Sequence, residues 1–435
     1  MSHAPAWLIV PALIAPAVAV SPAYAVQYMT TEAAQKQLFP EASGFVSHPI
    51  KLTAAQKDRV EAAAKVRMRY PEQPVWQVMA DGKPAGWFVL DEVYGKHEFI
   101  TYAVALDATG AVRGGQRHPE HQRRDPVVQA HRRGRAARAG NPCGRAEMMV
   151  RRAQPWLGTL VEIAAEGTDS ATLNAAIQRA FERVAVVHAT MSFQSADSAL
   201  THVNQRAQTG WVALSPDLAA VFAAALGFAR ASDGLFDPSV AGWLVASGQL
   251  PRHPDFPDAP RTDWRAIELD GDRVRFVASL LVDLSGIAKG YAVDGALASL
   301  RTDGVHAATV NAGGDLAHFG EPALPVRVRL PHAPTRTVQL AALRDGAAAT
   351  SASYFQPDAL RHPARGHRLC THASVTVLAA DCMTADALTK VVAADATRAQ
   401  RVLAAYAAHA VVLDGKRASR CDADGWHDLP LEQAA

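Results

Sequence analysis

Apolar positions in the second half of the chain fall into repeated strand-and-helix patterns. Ile177, Phe181, Val184, Val187 and Met191 recur at helical spacing, which predicts an amphipathic helix after a strand over Gly158–Ile163. Ser215-Pro216-Asp217 supplies an N-cap, a proline at N1 and an acid at N2, so a second helix starts there and stops at Asp233-Gly234. Leu280–Leu284 reads as a strand leading into a helix from about Ala288, and Val375–Leu378 as a strand leading into a helix from about Thr384. A helix over Arg398–Ala407 returns through His409–Leu413. No tandem repeat is evident. The mixture predicts an α+β body of mixed sheets and helices over 153–432, as one large domain or two tightly joined lobes.

Ahead of that body, residues 26–112 read as a small α+β module. Thr53-Ala54-Ala55-Gln56 has capping-box spacing and opens a helix through about Val66. Gly86–Tyr94 and Glu98–Leu106 read as strands around a Gly95-Lys96 turn, and Asp107-Ala108-Thr109-Gly110 turns the chain again into Ala111-Val112. At Arg113 the periodicity ends. Residues 113–152 hold eleven arginines, three acidic residues and no lysine, a net charge of +8 that leaves −6 for the rest of a chain whose total is +2. Such a stretch buries no core. It is either a basic linker or a high-GC coding stretch translated out of frame. Without aromatics to stack on bases, nucleic-acid binding ranks well below both.

Composition narrows the class. At 435 residues and 49% hydrophobic content, the chain can bury sizeable cores and is neither collagenous nor wholly disordered. Four cysteines with no CxxC pair exclude a dense disulfide framework and a zinc ribbon. The apolar run Ala6–Val20 is short for a membrane span, and Ala23-Tyr24-Ala25 follows it as an A-x-A exit. Residues 1–25 are therefore expected to be a signal peptide, and the protein periplasmic.

Four clusters can carry chemistry, and each has a plainer reading. Asn311-Ala312-Gly313-Gly314-Asp315 follows an apolar strand; its glycines let backbone N–H groups approach an anion, or simply make a turn. In Asp283-Leu284-Ser285-Gly286-Ile287-Ala288-Lys289-Gly290-Tyr291-Ala292-Val293-Asp294, a small-residue turn and Lys289 face the start of a helix, a phosphate-binding arrangement without Walker A spacing. Thr384–Lys390 sets Asp386 and Lys390 on one helix face beside Thr389, either as hard oxygen ligands for Mg²⁺ or as an i,i+4 ion pair. Asp233–Ser239 is a turn with two acids, or only a helix stop.

In this order and spacing, residues from about 156 to 430 resemble the ApbE family, the FAD:protein FMN transferases. Leu157-Gly158-Thr159, Ser198 with Asn204 six residues on, Gly234-Leu235-Phe236-Asp237-Pro238-Ser239 and Asp283–Asp294 appear in the family's sequence. Asn311–Asp315, Thr350-Ser351-Ala352-Ser353-Tyr354 and Ala385-Asp386-Ala387-Leu388 complete it. The resemblance implies an exported, Mg²⁺-dependent enzyme that moves FMN from FAD to a Ser or Thr hydroxyl of a partner flavoprotein, releasing AMP. It implies FAD contacts from Asn204, Phe236, Asp237, Lys289, Tyr291, Asn311, Gly313, Gly314, Asp315, Thr350 and Ser351. It further implies metal ligation by Asp386, the Ala288 carbonyl and Thr389. The acceptor could be membrane-associated and the enzyme peripheral to the inner membrane.

Two positions depart from the family pattern. Lys390 stands where threonine usually follows the metal aspartate, with Thr389 one residue early. In the segment that resembles H-x-x-D-P-x-x-G, Ala359 stands in the histidine slot and His362 in the aspartate slot, so His362 becomes the candidate to activate the acceptor hydroxyl beside Asp386. The alternative is a non-catalytic FAD- or FMN-binding accessory or electron-transfer protein that has lost the metal site. Residues 26–112 more loosely resemble part of the FMN-binding domains that such enzymes modify. Thr109-Gly110-Ala111-Val112 lacks the final hydroxyl of the acceptor signature and is not read as a flavinylation site.

Overall fold

The computed structural model describes residues 31–53, 55–57, 72–94, 99–108, 148–259, 261–302, 304–331, 333–352, 373–415, 417–422 and 424–429. The chain divides into two compact units, a smaller one built on Ala23–His131 and a larger one that takes in Val161–Ala435. Residues 1–25, expected to be a signal peptide, lie outside the described residues, as do the Gly95-Lys96 turn, Thr109–Val112, Ala359 and His362.

In the smaller unit, α1 (Thr31–Leu38) precedes a four-stranded antiparallel sheet in chain order: β1 (Gly44–Ser47), β2 (Val75–Ala80), β3 (Lys83–Tyr94) and β4 (Phe99–Asp107). Asp81 and Gly82 both take positive φ between β2 and β3, the conformation that a tight hairpin matched to strand twist requires. Phe39, Val78, Phe88 and Ala105 bury the core of this unit. The Thr53 capping box forms: Gln56 N donates to Thr53 Oγ1 at 3.3 Å, and Thr53 N donates to Gln56 Oε1 at 2.9 Å. Ala55–Lys57 are helical, and the rest of that predicted helix is outside the described residues.

The larger unit is organised by one nine-stranded sheet that runs through the chain in sequence order. Its strands are β5 (Met148–Trp156), β6 (Thr159–Gly167), β10 (Val305–Ala312), β11 (Asp315–Phe319), β14 (Gly346–Ala352), β15 (Ala373–Ala379), β16 (His409–Asp414), β17 (Arg417–Asp422) and β18 (Gly425–Asp428). Every adjacent pair from β6 to β18 is antiparallel. Two excursions interrupt it. Between β6 and β10 lie α2 (Ser170–Met191), α3 (Ala199–Arg206), α4 (Pro216–Ala231), α5 (Ala241–Ala246) and α6 (Ala288–Leu300). The same excursion holds a small sheet of β7 (Val212–Ala213), β8 (Ile267–Asp270) and β9 (Arg273–Phe276). The second excursion is the hairpin β12 (Leu324–Leu330) with β13 (Ala333–Leu343). After β15, α7 (Cys382–Ala394) and α8 (Ala396–Ala405) lead into β16.

Helix periodicity reads out directly as packing. Ile177, Phe181, Val184, Val187 and Met191 are all buried on α2. Ile177, Phe181 and Val184 meet Val293 and Leu297 of α6 over Ile163 and Val310 of the sheet. Each large side chain so buried contributes roughly 1.5–3 kcal/mol.

Two expectations change. Leu280–Leu284 is not a strand; only a single parallel bridge joins Leu281 to Val240. The backbone of Val282 is satisfied instead by the Asn204 side chain, so its apolar run is buried without a neighbouring strand. Met148–Arg152, expected to belong to the basic stretch, form the start of edge strand β5, where Arg151 reaches Glu162 of β6 at 2.9 Å. An edge position needs apolar contact on one face only, and Arg151, half exposed, keeps its charge at the surface.

Candidate active site

The turn into α6 is built by local hydrogen bonds. The Asp283 carboxylate accepts from Ser285 N at 3.0 Å and from Ser285 Oγ at 2.5 Å, while Ala288 N donates to Leu284 O at 2.8 Å. Asp283 N donates to Pro238 O at 2.8 Å, which fixes this turn to the Gly234–Ser239 segment. Asn204 clamps the same stretch, accepting from Val282 N and donating to Val282 O at 2.8 Å each. Its amide oxygen is thereby used within the fold. A Cβ on Gly286 would lie 3.5 Å from Lys390 Cε and 3.6 Å from Phe236 Cε2, so three separate sequence segments meet at this turn.

Helices α6 and α7 touch through glycine. A Cβ at Gly290 would sit 2.3 Å from the Cys382 carbonyl oxygen, which no side chain tolerates. One turn further along the same face, Asp294 accepts from Cys382 N and Met383 N at 2.8 Å each and caps α7 beside its own N-cap, Asp381. Burial lifts the Asp294 carboxyl to about 7, against the opposing pull of those two N–H groups.

This close packing delivers Asp386 to the start of α6. Asp386 is fully buried; its Oδ2 accepts from Gly290 N at 3.1 Å, and its Oδ1 is ion-paired with Lys390 Nζ. Lys390 Nζ also donates to the Asp386 carbonyl oxygen at 3.0 Å. Beside it, Lys289 Nζ and Asp315 Oδ2 pair at 2.7 Å with side chains only 7% and 2% exposed. Burial alone would raise the Asp386 carboxyl, but the charges of Lys390 and Lys289 and the Gly290 N–H hold it below its usual range. Burial and the nearby Asp386 charge push Asp315 up; burial would lower Lys289, but Asp315 and Asp386 raise it. The arrangement is two buried acids matched by two lysines.

The remaining candidates frame this core. Gly313 and Gly314 take positive φ in the β10–β11 turn, and Gly314 N donates to Asn311 Oδ1 at 3.0 Å. Thr389 Oγ1 donates to the Asp386 carbonyl at 2.7 Å and lies 2.8 Å from Ser351 Oγ, which ties β14 to α7. Thr350 Oγ1 faces Thr376 Oγ1 at 3.0 Å across β14 and β15. Asp237 accepts from Ser239 N at 2.8 Å and Ser239 Oγ at 2.6 Å, and its carboxyl is raised by burial. Tyr291 turns elsewhere: its hydroxyl donates to Asp217 at 2.7 Å on α4, which Arg183 of α2 also holds at 2.7 Å.

These contacts use up the donor set expected for a divalent cation. Both Asp386 oxygens already have partners, one of them a full positive charge, and Thr389 Oγ1 is engaged by Ser351 and the Asp386 carbonyl. Ala288, at the head of α6, is buried. A cation placed at Asp386 would stand against the Lys390 ammonium, so the residues present do not fit Mg²⁺ in this arrangement.

The ApbE family model matches residues 157–413 of this chain, which span the sheet from β6 to β16 and both lysine–aspartate pairs. The chain belongs to the ApbE family. Among relatives of this ApbE chain, the FAD:protein FMN transferase of Vibrio cholerae is 31% identical over 246 residues, covering 51% of this chain and 72% of that protein. That of Haemophilus influenzae is 29% identical over 255 residues, covering 51% and 73%. Of solved structures, the flavin transferase ApbE from Vibrio cholerae superposes with a TM-score of 0.54 at 26% identity, covering 65% of this chain and 97% of that one. The Pseudomonas stutzeri flavinyl transferase ApbE shares the fold, with a TM-score of 0.53 at 20% identity over 65% and 94% of the two chains.

Asp294 ends one of the sequence motifs, but its role as a cap on α7 is visible only in the fold. Asp294 lies four residues after Gly290, on the same helix face, and that spacing was the available signal; its partner helix was not.

Proposed function

We propose that this ApbE chain is a FAD:protein FMN transferase acting on a Ser or Thr hydroxyl of a partner flavoprotein. The observation that carries the reading is the meeting of three sequence segments at the paired charges Lys289–Asp315 and Asp386–Lys390, within the part of the chain that matches the family. The names of the relatives support the same activity. In the proposed step the acceptor oxygen bonds to the FMN phosphorus and the bond to the bridging oxygen breaks. AMP leaves with that electron pair, and the hydroxyl proton ends on the AMP phosphate or in water.

The chain's own groups bind and orient. The glycine turn at Gly313-Gly314 lets phosphate oxygens approach the backbone closely, while the part-exposed Lys390 ammonium offsets their charge. Asn204 and Asp283 hold the α6 turn in place. Mg²⁺ is not part of this proposal, because Lys390 already occupies Asp386. The apolar run Ala6–Val20 and its A-x-A exit support export to the periplasm, with a membrane-associated acceptor compatible.

The test is mass spectrometry of a flavin-acceptor domain incubated with the full chain and FAD. An FMN adduct with stoichiometric AMP release is expected. FAD binding with no adduct, alongside a working family enzyme on the same acceptor, would favour the accessory reading instead.

A further inference from the structure

Resting on the FAD reading above, we infer that the Lys390 ammonium takes the position of a divalent cation at Asp386, so that this chain binds and turns over FAD without metal ions. The argument begins from the carboxylate. Asp386 is fully buried beside the start of α6, where its Oδ2 accepts from Gly290 N at 3.1 Å and its Oδ1 meets Lys390 Nζ. An unneutralised carboxylate there would repel a diphosphate, so the position demands a cation.

Lys390 supplies one from within the chain. Its ammonium reaches Asp386 Oδ1 and, at 3.0 Å, the Asp386 carbonyl oxygen. An ammonium has three donors, and Asp386 uses two, which among the described residues leaves the third for a phosphate oxygen. The head is not sealed: the Lys390 side chain is 23% exposed, against 0% for Asp386. Its stem runs past Gly286, where a Cβ would stand in ordinary contact at 3.5 Å from Cε. Lys289 cannot do the same work, because it is buried against Asp315. A divalent ion would have to displace Lys390 or tolerate its charge at contact distance.

The transfer itself is the displacement already written, with Lys390 donating to the diphosphate where a metal would otherwise lie. The ammonium contributes a fixed charge that needs no loading.

Two measurements on the full chain test this. FAD titrations followed by flavin fluorescence, in EDTA and in Mg²⁺, are expected to give the same affinity to within about threefold, and Mn²⁺ added with FAD is expected to keep the EPR spectrum of the free ion. Lys390→Thr should lose FAD affinity in EDTA by about tenfold, the worth of one charge-assisted hydrogen bond, and recover it with Mg²⁺. If the native chain needs Mg²⁺ to bind FAD, or immobilises Mn²⁺, the inference fails while the transferase reading stands. Should it bind FAD under neither condition, both fail. The titrations of the native chain decide the matter even if Lys390→Thr does not fold.

Discussion

A single carboxylate illustrates how much one residue can set in this protein. Asp294 caps α7 from the neighbouring helix, and burial lifts its carboxyl to about 7 from an ordinary 3.8. Because the folded value lies above the unfolded one, folding takes up a proton in that window. The group's contribution to stability is complete below about pH 4 and is lost as pH rises through 7, a change on the order of 4 kcal/mol. Asp294→Asn cannot ionise, so thermal midpoints of the variant are expected to fall less steeply between pH 4 and 7 than those of the native chain. An unchanged slope would assign the pH dependence elsewhere. Asn204→Ala tests a different role: it strips both hydrogen bonds from the buried Val282 backbone and is expected to cost about 2–4 kcal/mol in urea unfolding. The residue types at the site were legible in the sequence, because glycines, acids and lysines clustered at helix starts. What each one touches was not. Asn204 and Val282 lie 78 positions apart, and no local pattern records their pairing.

At the scale of elements, α6 and α7 form the part of the fold on which the site depends. Neither helix carries the charge cluster alone; Lys289 sits on one, Asp386 and Lys390 on the other, and Asp315 begins β11. The distance between the helices therefore decides whether the charge cluster assembles, and Gly290 sets it. Gly290→Ala would place a methyl 2.3 Å from the Cys382 carbonyl oxygen, so the helices must separate. Overpacking of this kind costs typically about 1–3 kcal/mol. The expected result is a lower urea midpoint and weakened FAD binding together, since the Gly290 N–H bond to Asp386 lengthens in the same movement. A variant that lost stability but bound FAD with native affinity would show that the helix spacing does not shape the site. Most of these elements were legible from the sequence: α2, α4 and β15 follow their apolar periods and caps. Leu280–Leu284 misled for a physical reason. An apolar run signals burial, and here the burial is achieved with a side-chain clamp and one bridge instead of a strand ladder.

Across the larger unit, the nine-stranded sheet keeps chain order, and the functional segments ride on its excursions and turns. The sequence announced strands and helices but not this order, because strand neighbours are decided by packing over long separations. A meander with a long helical insertion between β6 and β10 brings the Asp283–Asp294 segment back over β10 and β11, where Asn311–Asp315 turn. The α7 crossover after β15 then lands Asp386 between them. If FAD bridges these segments, its binding must quiet them together although they are spread over about half of the larger unit. Hydrogen exchange with and without saturating FAD is expected to slow peptides covering 234–240, 283–291, 311–316 and 384–390 as one group. At about a hundredfold excess over Kd, the ligand adds roughly 2.7 kcal/mol to the folded state, enough to slow exchange that requires global opening about a hundredfold. Protection confined to one of the four segments would mean that the ligand sits at a single turn, and that the convergence of the lysine–aspartate pairs serves the fold alone.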